Sequence, residues 1–166
     1  MPEYADIYVL GRERSPDLII RFLDHFLPAR GEAADEYAVP QYADTPQIVF
    51  KTADELINHC CQHSKEAYSI YWRSKPGDEH AEVYFLEDGG VIFGVSTPAE
   101  NQMRVDAVSS ELGRFFETDE IFVTYEDLPP DSVDGFKAFL ASLPAIVDLA
   151  AAEAARRTRA HRPIEV

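Results

Sequence analysis

Runs of β-branched and aromatic residues at 68–74, 81–87 and 91–97 flank two glycine turns, Pro76-Gly77-Asp78 and Asp88-Gly89-Gly90. Such residues suit a pleated surface, and glycine supplies the positive φ that a tight turn needs. The pattern predicts a three-stranded antiparallel meander over 68–97. A second hairpin turning at Asp88-Gly89 pairs Phe85 with Ile92. That register places Tyr84, Leu86, Val91, Phe93 and Val95 on one face and Val83, Phe85 and Ile92 on the other. Both faces are apolar, so the meander is expected to be central and covered twice, by helices of this chain or by a second subunit.

The flanking pattern alternates strands with amphipathic helices. Residues 4–10 read as a strand with Ile7 and Val9 on one face. Ser15-Pro16-Asp17 opens a helix whose Ile19, Phe22, Leu23 and Phe26 fall at core spacing, and Pro28 closes it. Residues 29–46 have no sustained period and read as the longest loop. Residues 47–51 read as a short strand, and Thr52 to Glu55 as a capping box opening a helix to about Glu66. Thr97-Pro98-Ala99-Glu100 reads as a second capping box, for a helix reaching Phe116. A strand at 120–126 and a helix carrying Val133, Phe136, Phe139, Leu140 and Leu143 complete the main body. Residues 145–160 read as an alanine-rich helix ending in arginines.

This order predicts an α+β domain. Its core is one mixed, mostly antiparallel sheet of about six strands, with helices packed largely on one face. Residues 1–144 form the body; 145–166, the last helix and arginine-rich tail, belong to the same domain. At 166 residues the chain is long enough to bury a core, and 46% hydrophobic and 11% aromatic content fit a folded protein.

Charge narrows the classes of partner. The net charge is −15. The last fourteen residues hold Arg156, Arg157, Arg159 and Arg162 against Glu153 and Glu165, so the body carries the whole deficit. An anionic body repels phosphates, so nucleic acid is not an expected partner. No apolar run reaches membrane-spanning length and the first residues lack a secretory pattern, so a cytoplasmic location is expected, with no membrane association. The two cysteines are adjacent, Cys60-Cys61, a spacing that disfavours an unstrained disulfide.

Specific catalytic motifs are missing. His59 and His63 at i, i+4 suit a metal, but zinc needs three or four ligands and the cysteines of His59-Cys60-Cys61-Gln62-His63 point elsewhere. Neither a nucleophile elbow nor a phosphate-binding glycine loop occurs. We therefore expect no catalytic residues, metal or cofactor. The expected function is a non-enzymatic interaction module for a basic protein, of the inhibitor or immunity type that neutralises a basic toxin or enzyme. Tyr37, Tyr42, Glu32, Asp35 and Glu36 in the long loop and Trp72 on the sheet are the candidate partner contacts, because tyrosine, tryptophan and arginine dominate interface hot spots. The alternative is a small-molecule-binding regulatory domain, open to homodimerisation, with a cleft around Trp72 lined by Tyr71, Arg73 and Tyr84.

Overall fold

The computed structural model describes residues 1–143. The expected helix at 145–160 lies outside them. The elements run β1 (Tyr4–Leu10), α1 (Pro16–Phe26), β2 (Arg30–Glu32), β3 (Tyr37–Val39), β4 (Ile48–Phe50), α2 (Ala53–Gln62), β5 (Tyr68–Ser74), β6 (His80–Phe85), β7 (Val91–Pro98), α3 (Gln102–Phe116) and β8 (Ile121–Thr124). A fourth helix, α4, occupies residues 133–143. The architecture is the expected α+β domain: a six-stranded sheet in the order β2-β5-β6-β7-β1-β8, with β3 and β4 as a separate hairpin. Every neighbouring pair is antiparallel. Among the described residues, no helix is long and apolar enough to cross a membrane.

One sheet face carries Ile7 and Val9 of β1, Val83 and Phe85 of β6, and Val91, Phe93 and Val95 of β7, all buried. α1, α2 and α3 cover it with the residues that the helical spacing singles out: Ile19 and Phe22, Leu56 and Ile57, Val108 and Leu112. Phe22 meets Phe93 at 5.0 Å between ring centroids, and Phe93 meets Phe116 at 4.8 Å. Edge-to-face and tilted aromatic pairs of this kind add to the burial of their area.

Among the described residues, the cover on the other face is partial, and its helical part comes from α4. Phe136, fully buried, packs with Tyr8, Tyr84, Leu86, Ile92 and Phe122. Ser132 accepts the Gly135 amide at 2.9 Å and starts the helix. Asp88, in the β6–β7 turn, accepts the Val133 amide at 2.7 Å and ties the helix start to the meander. A side chain on Gly90 would collide with Val133, so this glycine serves the docking of α4 as well as the turn.

The structure corrects four expectations of detail. The second hairpin pairs Phe85 with Val91 and Tyr84 with Ile92, a shift of one residue. Its loop has three residues, Glu87 to Gly89, with Leu86 bonded to Gly90 and Gly89 at φ +92°. The shift moves Val91, Phe93 and Val95 to the face of Val83 and Phe85, and Ile92 to that of Tyr84, as the period of two requires. The long loop at 29–46 contains two short strands: β2 extends the sheet edge beside β5, and β3 pairs with β4. Helix α3 starts later than the Thr97 capping box implies. Thr97 and Pro98 stay in β7 opposite Ala5 and Tyr4, and Asn101 is the cap, accepting the Arg104 amide at 3.1 Å. At α2, Thr52 caps the Glu55 amide as expected, but Glu55 reaches back to the Lys51 amide.

Arg14, between β1 and α1, is a clamp. Its guanidinium donates to the carbonyls of Cys60, in the last turn of α2, and of His63 and Glu66 just after it, at 2.9, 3.0 and 3.0 Å. It also donates to Gly89 at 3.2 Å and to Leu86 in the β6–β7 turn. The same group lies 5.1 Å from the Phe85 ring centroid, within cation–π range.

Candidate functional site

Beyond the reach of α4, the second sheet face is polar and, among the described residues, uncovered. Two cross-strand rows form it. Asp6, Ser96, His80 and Arg73 are register neighbours across β1, β7, β6 and β5. Tyr8, Gly94, Glu82 and Tyr71 form the next row in the same order. Gly94 leaves room for the Tyr8 ring, which a side chain there would meet at 2.9 Å. The floor is thus built from polar residues at every second position of strands whose other positions are apolar.

The centre of the floor is a connected set of buried oxygens. The Ser96 hydroxyl lies 2.5 Å from Asp6 Oδ1 and within hydrogen-bond range of Glu82 Oε1. Tyr84 donates its hydroxyl to Glu82 Oε2. Asp6 Oδ2 accepts the Glu126 amide at 2.9 Å. Glu82 is 5% exposed. Burial pushes both carboxyls above their ordinary range, against the opposing hydrogen bonds, because removal from water disfavours the charged form. Burial likewise raises the Tyr8 and Tyr84 phenols, which stay neutral. His80 is pushed down, by burial first and then by Arg73.

The segment after β8 forms one wall. Tyr8 donates to the Asp127 carbonyl at 3.0 Å, and the Thr124 hydroxyl donates to the same carbonyl at 3.2 Å. Glu126 accepts the Glu3 amide at 2.8 Å. Tyr71 and Tyr84 stand edge to face at 5.9 Å, and Tyr4 packs on His80 at 5.1 Å. The resulting cleft encloses about 400 Å³. Asp6, Glu82, Glu126 and Asp127 are the acidic residues of its lining; among the described residues, Arg73 is its one arginine. Tyr71, Tyr84 and Leu128 also wall a second hollow of about 440 Å³ that runs on to Tyr42 and Pro130.

Of the residues proposed from sequence, Tyr71, Arg73 and Tyr84 come together on this face. Trp72 does not join them through its ring. It is 3% exposed and belongs to the core beneath the helices, on the face opposite its two neighbours. The cleft is therefore centred on Glu82 and Ser96, and Trp72 contributes at most main chain to its wall. Tyr37 is also a core residue, 3% exposed, with its hydroxyl donated to Glu32 at 2.9 Å. Glu32 accepts the Ala53 amide at the start of α2 as well, so this carboxylate is part of the scaffold. Glu36 pairs with Lys51 at 2.9 Å. Asp35 is exposed, and Tyr42, 88% exposed, stands at the far end of the second hollow.

The other candidate groups stay apart from the cleft. His59 bonds Glu66 at 3.2 Å and stacks on His63 at 4.1 Å. Among the described residues, no three His, Cys, Asp or Glu side chains converge as metal ligands. Burial pushes the Cys60 thiol up to about 12 and the Cys61 thiol up to about 11, which disfavours thiolate chemistry.

Sequence reasoning missed Asp6, Tyr8, Glu82 and Ser96. A signal for them exists. Asp6 interrupts "YADIYVL" and Glu82 interrupts "HAEVYF", each a charge inside a strand whose neighbours are apolar. Charges in such positions are seldom buried unless paired or hydrogen-bonded. In comparisons with protein-family models, curated proteins and solved structures, nothing matches this chain.

Proposed function

We propose that this protein is a non-enzymatic binding module for a basic protein, and that it seats a lysine or arginine side chain of its partner in the cleft on the second sheet face. The observation that carries this reading is the lining: four acidic residues and a set of tyrosines around one open hollow, on a body with a large excess of acid. Carboxylates attract a cation, and tyrosine faces add cation–π attraction and low-entropy contact area. Arg73 stands at one end of its row, so the favourable end for a cation lies toward Glu126 and Asp127. Exposed Tyr42, Tyr71 and Leu128 continue the surface into the second hollow and supply the apolar contacts that an interface centre needs. A neutralising partner of a basic toxin or enzyme is the class of protein that fits this surface.

The test is affinity capture with paired baits. Wild-type chain and a Tyr71→Ala/Leu128→Ala variant of equal thermal stability are exposed to lysate of the native host at low and moderate salt. One stoichiometric basic protein held by the wild type, weakened by salt and lost from the variant, is the expected result. Equal retention by both baits removes the cleft as the contact surface.

A second reading is favoured by the size of the hollow. About 400 Å³ lies within the range of small-ligand sites, and Tyr71, Arg73 and Tyr84 line it. On that reading the chain is a regulatory domain for a small molecule, and a thermal-shift screen of metabolites is its test.

A further inference from the structure

The hydrogen-bond geometry of the cleft floor contains one proton more than its charges suggest. Ser96 lies between two carboxyl groups, with Asp6 Oδ1 on one side and Glu82 Oε1 on the other. A serine hydroxyl has one proton and can donate to only one of them. Two ionised carboxylates flanking it would leave one oxygen facing the serine oxygen with no proton between them. The arrangement is complete only when one carboxyl brings its own proton and donates it to Ser96 Oγ.

The surrounding donors decide which carboxyl that is. Asp6 receives the Glu126 amide on its second oxygen and can receive the serine proton on its first, so both oxygens accept. Glu82 receives only the Tyr84 hydroxyl, on Oε2, which leaves Oε1 free to carry a proton toward Ser96. The order is therefore Tyr84 to Glu82, protonated Glu82 to Ser96, and Ser96 to ionised Asp6. Among the described residues, no other charge is bonded to the pair. β1 brings Tyr8, β5 brings Tyr71 and the exposed Arg73, and β6 brings His80, a neighbour of Arg73 in register. The 125–128 segment adds the acids Glu126 and Asp127, and α4 meets this face through Phe136, Val133, Leu140 and Leu143.

We propose that the free cleft holds this proton on Glu82, and that arrival of a cationic side chain expels it, so that docking is coupled to pH. The inference rests on the cleft being the docking site. It deepens that reading by naming its regulation: the proton is a competitor for the partner's charge. Only the Glu82–H bond breaks, the proton leaves to solvent, and the carboxylate formed faces the incoming ammonium or guanidinium. Below the Glu82 midpoint, the affinity for a cation rises about tenfold per pH unit; above it, the affinity is level.

Two measurements on the whole chain test this. The first follows side-chain carboxyl carbons by NMR in the free protein, with Glu82→Gln assigning the resonance. The expected Glu82 midpoint lies above the ordinary glutamate value of 4.5. A midpoint at or below it overturns the held proton. The second titrates an acetylated, amidated hexa-arginine peptide across the same pH range at constant ionic strength. The wild type is expected to show the rising limb and Glu82→Gln a limb shallower by about one proton, since Asp6 still titrates; equal slopes overturn the coupling. A raised midpoint with no peptide binding at any pH overturns the docking reading and its proton linkage together, and leaves the proton on Glu82 standing.

Discussion

The two faces of the central sheet are made by the same strands and have opposite characters. One is covered by three helices and closed by rings such as Phe22, Phe93 and Phe116. The other is, among the described residues, covered by α4 in part, and its cleft is lined by Asp6, Glu82, Ser96 and four tyrosines. Alternation along each strand sends Val83 and Phe85 one way and Glu82 and Tyr84 the other. A face closed on all sides by apolar groups can only contribute stability. A face left half open with buried carboxyls is costly to maintain unless every polar atom is satisfied, and among the described residues none of these buried side-chain atoms lacks a partner. The difference separates the part of the molecule that holds the fold from the part with surface available for recognition.

Substitutions on each face should widen or close that contrast. The largest effect is expected at the closed face, where Phe93→Ala removes a fully buried ring and should cost about 3–5 kcal/mol in urea unfolding. Phe136→Ala strips the half-cover and should cost about 3 kcal/mol, with the loss confined to the second face. A Phe136 effect as large as that of Phe93 with loss of all three other helices would mean the two faces form one inseparable core.

At the open face the effect should depend on pH and have the opposite sign. The folded state raises the Glu82 carboxyl, so it binds a proton that the unfolded chain releases at lower pH. That contribution is complete below the ordinary glutamate value of 4.5 and fades as pH rises through the folded midpoint. Gln keeps the shape and the hydrogen bonds of the protonated acid. Glu82→Gln should therefore match the wild type near pH 4 and melt above it near pH 8. A thermal scan across pH checks this, and a lower melting temperature at pH 8 would refute it. The smallest effect on stability belongs to Tyr71→Ala, at a residue 37% exposed: within about 0.5 kcal/mol of wild type. Its effect on binding should be at least about tenfold, measured by calorimetry with the captured partner.

How much of this was legible in the sequence follows from the range of each interaction. Helical periods and caps are local, so α1, α2 and the buried residues of α3 could be read directly. Strand existence in the meander was equally plain. The register of its second hairpin was not, because a three-residue loop and a two-residue loop share the same Asp-Gly-Gly signal. The short strands β2 and β3 carry too few residues for a period, and they exist because β5 and β4 lie beside them. The cleft was only half legible. Tyr71, Arg73 and Tyr84 were identified, while alternation could have sent Trp72 to the opposite face from Tyr71. Asp6 and Ser96 stand ninety residues apart in sequence and meet only through the β1–β7 pairing.

The Arg14 guanidinium has a consequence for how the molecule opens. It joins the exit of α2 to the tip of the β6–β7 turn through carbonyls 46 to 75 residues away in sequence. Those carbonyls can be served together only while both segments are in place. Neither can fray alone without stranding the other's acceptors, so the two should open to solvent as one unit. In hydrogen exchange, the amides of His63 and Gly89, bonded to His59 and Leu86 within their own segments, should then exchange with a common opening free energy. The floor of the cleft is built in part on β6 and β7, so a half-buried residue outside the cleft lining sets how often that floor loosens.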